Sequence, residues 1–283
     1  MEYQSRLLEQ YNQYCQKHKS KEIEISGKTL DYIVGGQGKE TIFIIPGGTG
    51  RIEDVFQYIL ALEEEYRVIA MTIPTNVTTI KESENSIMAI LNAESIQKAH
   101  FIGFDMGSMI GQQFVHHYPE MAMNIVLIHT LVPNNSIAKL FGKAVTVDSL
   151  IPSFLYSKIT KALFSKVLKN YLDASQEVKN FWINHYVDSI SKEREHNRVR
   201  ISMDFLKNYY FTPYDLDSWS GNVFIIESEK DKVLGKKEIL EQVREIYPQA
   251  KFYTFHEGNQ IVNEIFKSTT ITSLIKDFLA KNK

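Results

Sequence analysis

The segment 103–107 reads Gly-Phe-Asp-Met-Gly and lies between an apolar run and a stretch with helical spacing. Two glycines around a central side chain are typical of a sharp strand-to-helix turn that exposes a nucleophile, usually a serine. Here the central residue is Asp105. An ionised carboxylate is already a nucleophile and can form an ester intermediate. The turn therefore predicts either an aspartate nucleophile or a site that has lost serine chemistry.

Short apolar runs predict the strands that must position Asp105. Two alternating runs separated by Ser-Gly predict a hairpin, and the later runs are continuous, as in strands covered on both faces. The runs span 21–25, 29–34, 41–46, 67–74, 99–104, 123–130, 222–228 and 251–255. Helical patterns cover the first twenty residues and the segments 52–65, 83–97, 107–118, 236–247 and 262–281. This alternation predicts an α/β fold with about eight mostly parallel strands and helices on both faces.

Residues 132–219 break the alternation, because they contain helical patterns and no buried strand. Both tryptophans, Trp182 and Trp219, lie in this segment among many other aromatic residues. We interpret it as a helical insertion in a core formed by residues 1–131 and 220–283. Ligand sites favour such boundaries, so we expect a small organic molecule to bind in a pocket between core and insertion.

Composition limits the classes of function. The 283 residues are 43% hydrophobic and 23% charged, which is ordinary for a globular protein. The net charge of −2 provides no global basic field, so we expect no nucleic-acid partner. Cys15 is the single cysteine, which favours a reducing compartment, and we expect a cytoplasmic protein. The absence of a signal-peptide pattern and of long apolar runs predicts no membrane insertion.

The chain resembles α/β-hydrolase-fold proteins over nearly its whole length. The segments that carry the resemblance are the leading strands and oxyanion loop (LDYIVGGQGKETIFIIPGGTG), the nucleophile elbow (AHFIGFDMGSMIGQQFVHHYPE), the acid loop (NVFIIESEKDKVL) and the histidine loop (KFYTFHEGNQIVNE). The insertion then corresponds to the helical cap of the family. Within the superfamily, PGGTGRIEDVFQYILALEEEYRVIAMTIP is most similar to the maspardin-like branch.

The resemblance implies an atypical triad. Asp105 stands at the nucleophile position, Asp231 at the acid position and Asn259 at the position of the catalytic histidine. A shift of one residue would place Gln260 there instead. Neither amide titrates near neutral pH, so neither relays protons as histidine does. We therefore expect no ordinary serine esterase activity.

The same resemblance implies that the oxyanion hole is preserved. Its implied donors are the backbone N–H of Met106 and one from Gly48 or Thr49. An aspartate at a helix N-terminus could also occupy these donors itself, without any reaction.

Two histidines are candidates for a substitute base. His256 ends the last predicted strand, and His129 ends the strand that follows the elbow helix. No His, Cys and carboxylate cluster has metal-ligand spacing, and no glycine loop has the pattern of a phosphate site. We therefore expect neither a metal nor a cofactor.

Two hypotheses follow from these residues. In the first, the protein is a hydrolase of a small organic substrate that uses Asp105 in an Asp-Asp-Asn site. In the second, it is a catalytically degenerate hydrolase fold, a pseudoenzyme that binds a small molecule or a protein partner. The sequence leaves both hypotheses open, together with the substrate and the oligomeric state.

Overall fold

A computed structural model describes residues 2–169 and 175–282 of the chain. In these residues eight strands form one sheet in the order β1-β2-β4-β3-β5-β6-β7-β8. The strands are β1 (Lys21–Ile25), β2 (Lys28–Gly35), β3 (Thr41–Ile45), β4 (Arg67–Met71), β5 (Ala99–Phe104), β6 (Ala122–Ile128), β7 (Val223–Ser228) and β8 (Lys251–Phe255). Strand β2 pairs antiparallel with β1 and β4, and the remaining pairs are parallel. The predicted α/β class and strand number are confirmed.

Helices cover both faces of the sheet. They are α1 (Glu2–Lys17), α2 (Phe56–Leu62), α3 (Ile80–Ala93), α4 (Met106–His117), α5 (Asn135–Ser149), α6 (Ser153–Lys169), α7 (Gln176–Ser189), α8 (Lys192–Asn208), α9 (Lys237–Ile246), α10 (Gln260–Phe266) and α11 (Ser268–Lys281). One hydrophobic cluster joins α3, α4 and α9 to the sheet, and a second joins α1, α2 and α11. Every residue of β3 and β5 is buried, as their continuous apolar runs predict.

Several helix boundaries differ from the sequence prediction. The pattern at 52–65 forms α2 only over Phe56–Leu62, and a short 3-10 helix at Ile52–Val55 precedes it. The pattern at 262–281 forms two helices, α10 and α11, because the first ends at Phe266 and Lys267 separates them. Helix α3 begins at Ile80 rather than 83, since the Thr79 hydroxyl accepts a hydrogen bond from the N–H of Glu82 at 3.2 Å. A side-chain cap of this kind satisfies a backbone N–H that has no partner within the helix.

The insertion, residues 132–219, contributes helices α5 to α8 and has no strand in its described part. Helix α8 contacts α3 and α4, and α7 contacts α1. The carboxylate of Asp204 in α8 accepts a hydrogen bond from the N–H of Ile80 at 2.8 Å. This bond anchors helix α8 at the N-terminus of α3. The division into a core and a cap stays a prediction. No helix in the described residues has the length and apolar content to span a membrane.

Gly107 sits where α4 touches the end of β3. A Cβ atom at this position would lie 2.2 Å from the carbonyl oxygen of Ile45 and 2.6 Å from that of Pro46. Such contacts require the backbone to move. At Gly111, one turn later, a Cβ would meet only side-chain methyl carbons at 3.4 and 3.5 Å, which is ordinary contact.

We expect Gly107→Ala to lower the free energy of unfolding by about 3 kcal/mol, since the methyl group overpacks against backbone atoms. Gly111→Ala is the matched control, and it should be neutral or stabilise α4 by up to about 1 kcal/mol. Urea denaturation followed by circular dichroism measures both values. Equal stabilities for the two variants would contradict the close approach at Gly107.

The side chain of His116, near the C-terminal end of α4, is 8% exposed. Its ring stacks on Phe211 with a centroid distance of 3.8 Å, and its Nε2 lies 3.2 Å from the hydroxyl of Tyr247. Burial lowers the pKa of His116 from 6.5 to about 4, although Asp215 opposes the shift. The folded protein therefore holds this imidazole neutral, whereas the unfolded chain takes up a proton below pH 6.5.

Because the folded pKa is depressed, the stability from neutral His116 is present above pH 6.5 and is lost as the pH falls towards 4. The expected loss is roughly 3 kcal/mol over this range. His116→Phe keeps a ring on Phe211 but cannot titrate. Guanidinium denaturation between pH 6.5 and 4 measures the free energy of unfolding of both proteins. This free energy should fall more steeply with decreasing pH for the wild type. An equal fall in the two proteins would contradict the lowered pKa of His116.

Candidate active site

Asp105 occupies a sharp turn between β5 and α4. Its φ is 45° and its ψ is −115°, in the left-handed region that non-glycine residues rarely adopt. The N–H of Asp105 donates to the carbonyl of Ile128 at 2.9 Å, which ties the turn to the neighbouring strand β6. A Cβ on Gly103 would lie 2.5 Å from the Cα of Ser108, so the turn requires a glycine there. The elbow geometry predicted from the glycine spacing is therefore present, with a carboxylate at its centre.

A cavity of about 430 Å³ opens above this turn. The core side of its lining consists of Gly48, Thr49, Asp105, Leu131, Asp231, Val233, Leu234, Asn259, Gln260, Ile261 and Glu264. The insertion side consists of Phe141, Thr160, Leu163, Phe164, Val167, Tyr186, Ile190, Glu195 and Arg198. The structure thus brings together Asp105, Asp231 and Asn259, which lie far apart in sequence, because their loops all follow parallel strands.

Arg198 of α8 contacts the elbow carboxylate. Its Nη1 lies 3.5 Å from Oδ2 of Asp105, and its Nη2 lies 3.0 Å from Oε2 of Glu195. The carboxylates of Glu195 and Asp105 raise the pKa of Arg198 against the opposing effect of burial, so the guanidinium stays charged. The sequence analysis missed this residue. The three-residue spacing of Glu195 and Arg198 signals a helix pair, but nothing in it points towards Asp105.

Asp231 holds two loops together. Its Oδ1 accepts hydrogen bonds from the N–H groups of Val233 and Leu234, each at 2.9 Å. Its Oδ2 accepts a longer bond of 3.4 Å from the N–H of Gln260. Asp231 therefore contacts the backbone of the loop that contains Asn259 and Gln260, where other family members have the catalytic histidine.

Asn259 caps α10. Its Oδ1 accepts a hydrogen bond from the N–H of Val262 at 3.0 Å, and it follows Gly258, whose φ is 76°. Both Asn259 and Gln260 line the cavity. The amide at the histidine position thus has a structural role as a helix cap and has no titratable proton.

The oxyanion loop lies directly against the elbow. A Cβ on Gly47 would lie 2.8 Å from the Cβ of Asp105, and the N–H of Gly50 closes the turn onto the carbonyl of Gly47 at 2.7 Å. The hydroxyl of Thr49 donates to the carboxylate of Asp54. Gly48 and Thr49 line the cavity, whereas Met106 lines a smaller crevice beside it.

The two candidate bases occupy different environments. The side chain of His256 is 75% exposed, and its Nδ1 lies 3.0 Å from Oε2 of Glu229, outside the cavity lining. His129 is buried between two partners, with Nδ1 2.7 Å from Oε1 of Glu264 and Nε2 2.7 Å from the hydroxyl of Ser228. His129 therefore reaches the cavity only through Glu264.

Glu264 is a second site residue that the sequence analysis did not assign a role. Burial raises the pKa of this carboxyl; His129 opposes the shift, and Asp105 and Asp231 add to it. Its Oε1 bonds to His129, and its Oε2 has no hydrogen-bond partner in the part of the chain that is described. The signal available in the sequence was its position five residues after Asn259, as in the family pattern.

Tyr186 of α7 covers the oxyanion loop. A Cβ on Gly48 would lie 3.5 Å from its ring, and Tyr186 also lines the cavity. Burial, with the nearby carboxylates of Asp54 and Glu264, raises the pKa of this phenol well above its usual range. The hydroxyl therefore keeps its proton at neutral pH and can donate a hydrogen bond.

The described residues contain no group of three or more His, Cys, Asp or Glu side chains arranged to hold a metal ion. The chemistry that the cavity can perform with its own side chains is nucleophilic attack by a carboxylate, hydrogen-bond donation by a phenol and proton acceptance by a second carboxylate.

Two curated relatives match part of the chain. An uncharacterized hydrolase, YcgS, from Bacillus subtilis (strain 168) is 26% identical over 163 residues, which cover 55% of this chain and 52% of the relative. A 2-hydroxy-6-oxononadienedioate/2-hydroxy-6-oxononatrienedioate hydrolase from Escherichia coli is 26% identical over 190 residues, which cover 56% of this chain and 66% of the relative. The matches therefore span between one half and two thirds of these relatives.

Solved structures share the fold over most of the chain. A hydrolase from Pseudomonas aeruginosa PA01 has a TM-score of 0.73 with 15% identity and covers 92% of this chain and 98% of that one. A meta-cleavage product hydrolase from Pseudomonas fluorescens IP01 has a TM-score of 0.70 with 19% identity and covers 93% and 98%. The assignment to the maspardin-like branch stays a prediction. A family model described as the alpha/beta hydrolase fold matches residues 40–264, from β3 through the elbow to Glu264, so the chain belongs to the α/β-hydrolase fold family.

Proposed function

We propose that the protein is a hydrolase that attacks a small organic electrophile with Asp105 and releases the resulting ester with water activated by Glu264. One observation carries this proposal. The elbow carboxylate, residues Gly48 and Thr49, and the Glu264 carboxyl, whose pKa is raised, line a single cavity. Glu264 supplies the proton acceptor whose loss at Asn259 would otherwise stall the reaction after the first step.

Attack by Asp105 is the first step. The Nη1 atom of Arg198 lies 3.5 Å from Oδ2 of Asp105, and this contact orients the attacking carboxylate. A carboxylate oxygen bonds to the electrophilic carbon, and the bond between that carbon and the leaving atom breaks. When the leaving atom is oxygen, the protonated phenol of Tyr186 is the hydrogen-bond donor available to it.

Hydrolysis of the ester is the second step. Glu264 accepts a proton from water, and the hydroxide adds to the carbonyl carbon of the Asp105 ester. The oxyanion forms beside the N–H of Met106 and that of Gly48 or Thr49. Its collapse expels the alcoholate, which takes the proton from Glu264 and leaves as the alcohol. The Asp105 carboxylic acid that remains loses its proton to solvent and becomes the carboxylate again. A raised carboxyl pKa suits this base, since proton transfer is efficient when the pKa approaches the working pH.

The His129–Glu264 pair takes the place of a histidine base in this scheme. The bond to the Ser228 hydroxyl at Nε2 and the bond to Glu264 at Nδ1 fix the ring, so the imidazole orients the carboxyl from behind. His129 is thus a positioning residue in this scheme. Glu264, and not His129, acts as the base.

A binding module without turnover is the second candidate function. Two observations favour it: Oδ1 of Asn259 is engaged as a helix cap, and Asp105 is paired with Arg198. The names of the relatives do not decide between the two. The dioate in the name of the E. coli relative denotes a dicarboxylate, and four carboxyl groups in this cavity argue against the same substrate here.

Isotope labelling under single turnover tests the proposal. Excess protein is mixed in heavy-oxygen water with a panel of terminal epoxides, haloalkanes and activated esters. We expect the heavy oxygen to appear in the carboxylate of Asp105, because water attacks the ester carbonyl carbon and not the substrate. Peptide mass spectrometry reads the label, with Asp105→Ala as the inactive control. Label found directly in the product would contradict the covalent step, and no turnover with any panel member would favour the binding module.

A further inference from the structure

We infer that the cavity above Asp105 takes a small organic cation that carries an apolar group, and that it discriminates against anions. The inference rests on the proposed function in so far as this cation is the substrate. The charge, the polar atoms and the aromatic side chains of the cavity lining support it.

Negative charge dominates the lining. Of the described residues that line the cavity, four carry carboxyl groups, namely Asp105, Glu195, Asp231 and Glu264, and Arg198 carries a guanidinium. Even with Glu264 protonated, three carboxylates face one cation. A cleft of one sign with low-dielectric walls raises the local concentration of counter-ions, so a cationic ligand is concentrated there and an anion is repelled.

Arg198 is already engaged by protein carboxylates. Its guanidinium lies 3.0 Å from Glu195 and 3.5 Å from Asp105, on the two nitrogens that would grip a ligand carboxylate. Arg194, one helical turn earlier, donates to the carbonyl of Thr49 at 3.2 Å and is absent from the cavity lining. An anionic ligand would therefore have to displace Glu195 or Asp105 from Arg198.

Glu264 and Tyr186 bring polar atoms to the cavity wall. Oε2 of Glu264 and the hydroxyl of Tyr186 make no hydrogen bond to any described residue, although both side chains lie deep enough for burial to raise their pKa values. The side chain of Glu264 is 15% exposed, and both residues line the cavity, so these two atoms are available to a bound ligand. The positive charge of a bound cation would face the carboxylate oxygen of Glu264.

The rest of the lining suits the apolar part of such a ligand. The rings of Phe141, Phe164 and Tyr186 line the cavity, and a cation over an aromatic face gains about 0.5–2 kcal/mol. Leu163 and Ile190 extend the apolar wall of the insertion. A volume of about 430 Å³ accommodates a ligand of the size of an aryl-alkyl amine.

Three probes that share a benzyl group isolate the effect of charge. Benzyltrimethylammonium is the cation, neopentylbenzene is its neutral isostere and phenylmethanesulfonate is the anion. Saturation-transfer NMR and, for the charged probes, calorimetry measure binding to the wild-type protein without any turnover. We expect the cation to bind at least tenfold more tightly than the neutral isostere and the anion not to bind. Equal binding of all three, or tighter binding of the anion, would overturn the inference.

Charge variants with opposite expected signs separate electrostatics from structural damage. Glu195→Gln keeps a hydrogen-bonding side chain beside Arg198 and should weaken binding of benzyltrimethylammonium severalfold. Arg198→Met should strengthen binding of the same probe. Glu238→Gln removes an exposed carboxylate of α9 outside the cavity and should leave binding unchanged. The affinity of the neutral isostere should be the same for all three variants. An equal change in the affinities of the cation and the isostere would contradict a charge effect.

The inference and the proposed function fail in different ways. Cation binding without turnover of any cationic epoxide or ester would refute hydrolysis and leave the ligand class standing. Turnover of neutral and anionic epoxides or esters at the same rate as cationic ones would refute the ligand class and leave hydrolysis standing.

Discussion

A chain that carries Asp105→Ser together with Asn259→His is expected to hydrolyse a small activated ester about 10³-fold faster than either single variant. It should also be labelled at residue 105 by a serine-directed fluorophosphonate. The elbow torsion is present, the loop that contains Gly47 lies against Asp105, and Asp231 already contacts the loop that would carry the imidazole. Triad members act as a unit, so each single variant should do little.

Two structural costs accompany this double variant. Loss of the Asn259 cap on α10 destabilises the protein by about 1 kcal/mol, which a folded domain tolerates. Arg198 loses Asp105 as a partner and keeps Glu195. The wild type should show neither fluorophosphonate labelling nor measurable hydrolysis of the same ester, because a carboxylate at residue 105 and an amide at 259 supply no serine chemistry.

Asp105→Ser with Gln260→His is the matched control for register. Gln260 also lines the cavity, but its N–H bonds to Asp231 from the first residue of α10. Activity with the histidine at 259 and none at 260 would support the position assigned from the family pattern. A folded double variant at 259 without activity or labelling would mean that the loop does not present its side chain to residue 105.

The framework of the site could be predicted from the sequence because it depends on local patterns. The run at 99–104 matches β5 residue for residue, and the glycine spacing predicted the turn that gives Asp105 its positive φ. Loops after parallel strands meet at one edge of the sheet, which brings Asp231 and Asn259 to the same cavity.

The rest of the site depends on how helices dock, and the sequence contains no local signal for that. Arg198 lies in a helix with charges on several sides. Its position beside Asp105 depends on how α8 docks against α3, α4, α5 and α6. Tyr186 was one aromatic among many in the insertion. The pairing of His129 with Glu264 joins residues 135 positions apart, so no spacing rule could have found it.

Glu264→Gln is expected to leave attack by Asp105 intact and to slow release of the ester by about 10³-fold, the effect of removing a general base. The substituted amide has the same shape as the carboxylate and keeps an acceptor for the His129 ring, but it cannot take a proton from water. Glu257→Gln, an exposed carboxylate in the preceding loop, is the matched control and should turn over normally.

The pH dependence of ester release follows from the same residue. The base must be ionised, and burial raises the pKa of Glu264, so the release rate of the wild type should rise with pH through a value above the ordinary range of a glutamate. This rise of the release rate with pH should be absent from Glu264→Gln. A wild-type rate that is flat above the ordinary carboxyl range would contradict the assignment of Glu264 as the base.

The mass of the peptide that contains Asp105 tests the covalent step most directly. Glu264→Gln is incubated with glycidyltrimethylammonium and with its neutral carbon isostere, digested and mapped, with Asp105→Asn treated in parallel. We predict that Glu264→Gln accumulates an ester on Asp105 with at least one of the two epoxides, while the Asp105→Asn protein stays unmodified at that peptide. An unmodified Asp105 in Glu264→Gln with both epoxides, while the wild type hydrolyses either of them, would contradict nucleophilic attack by Asp105.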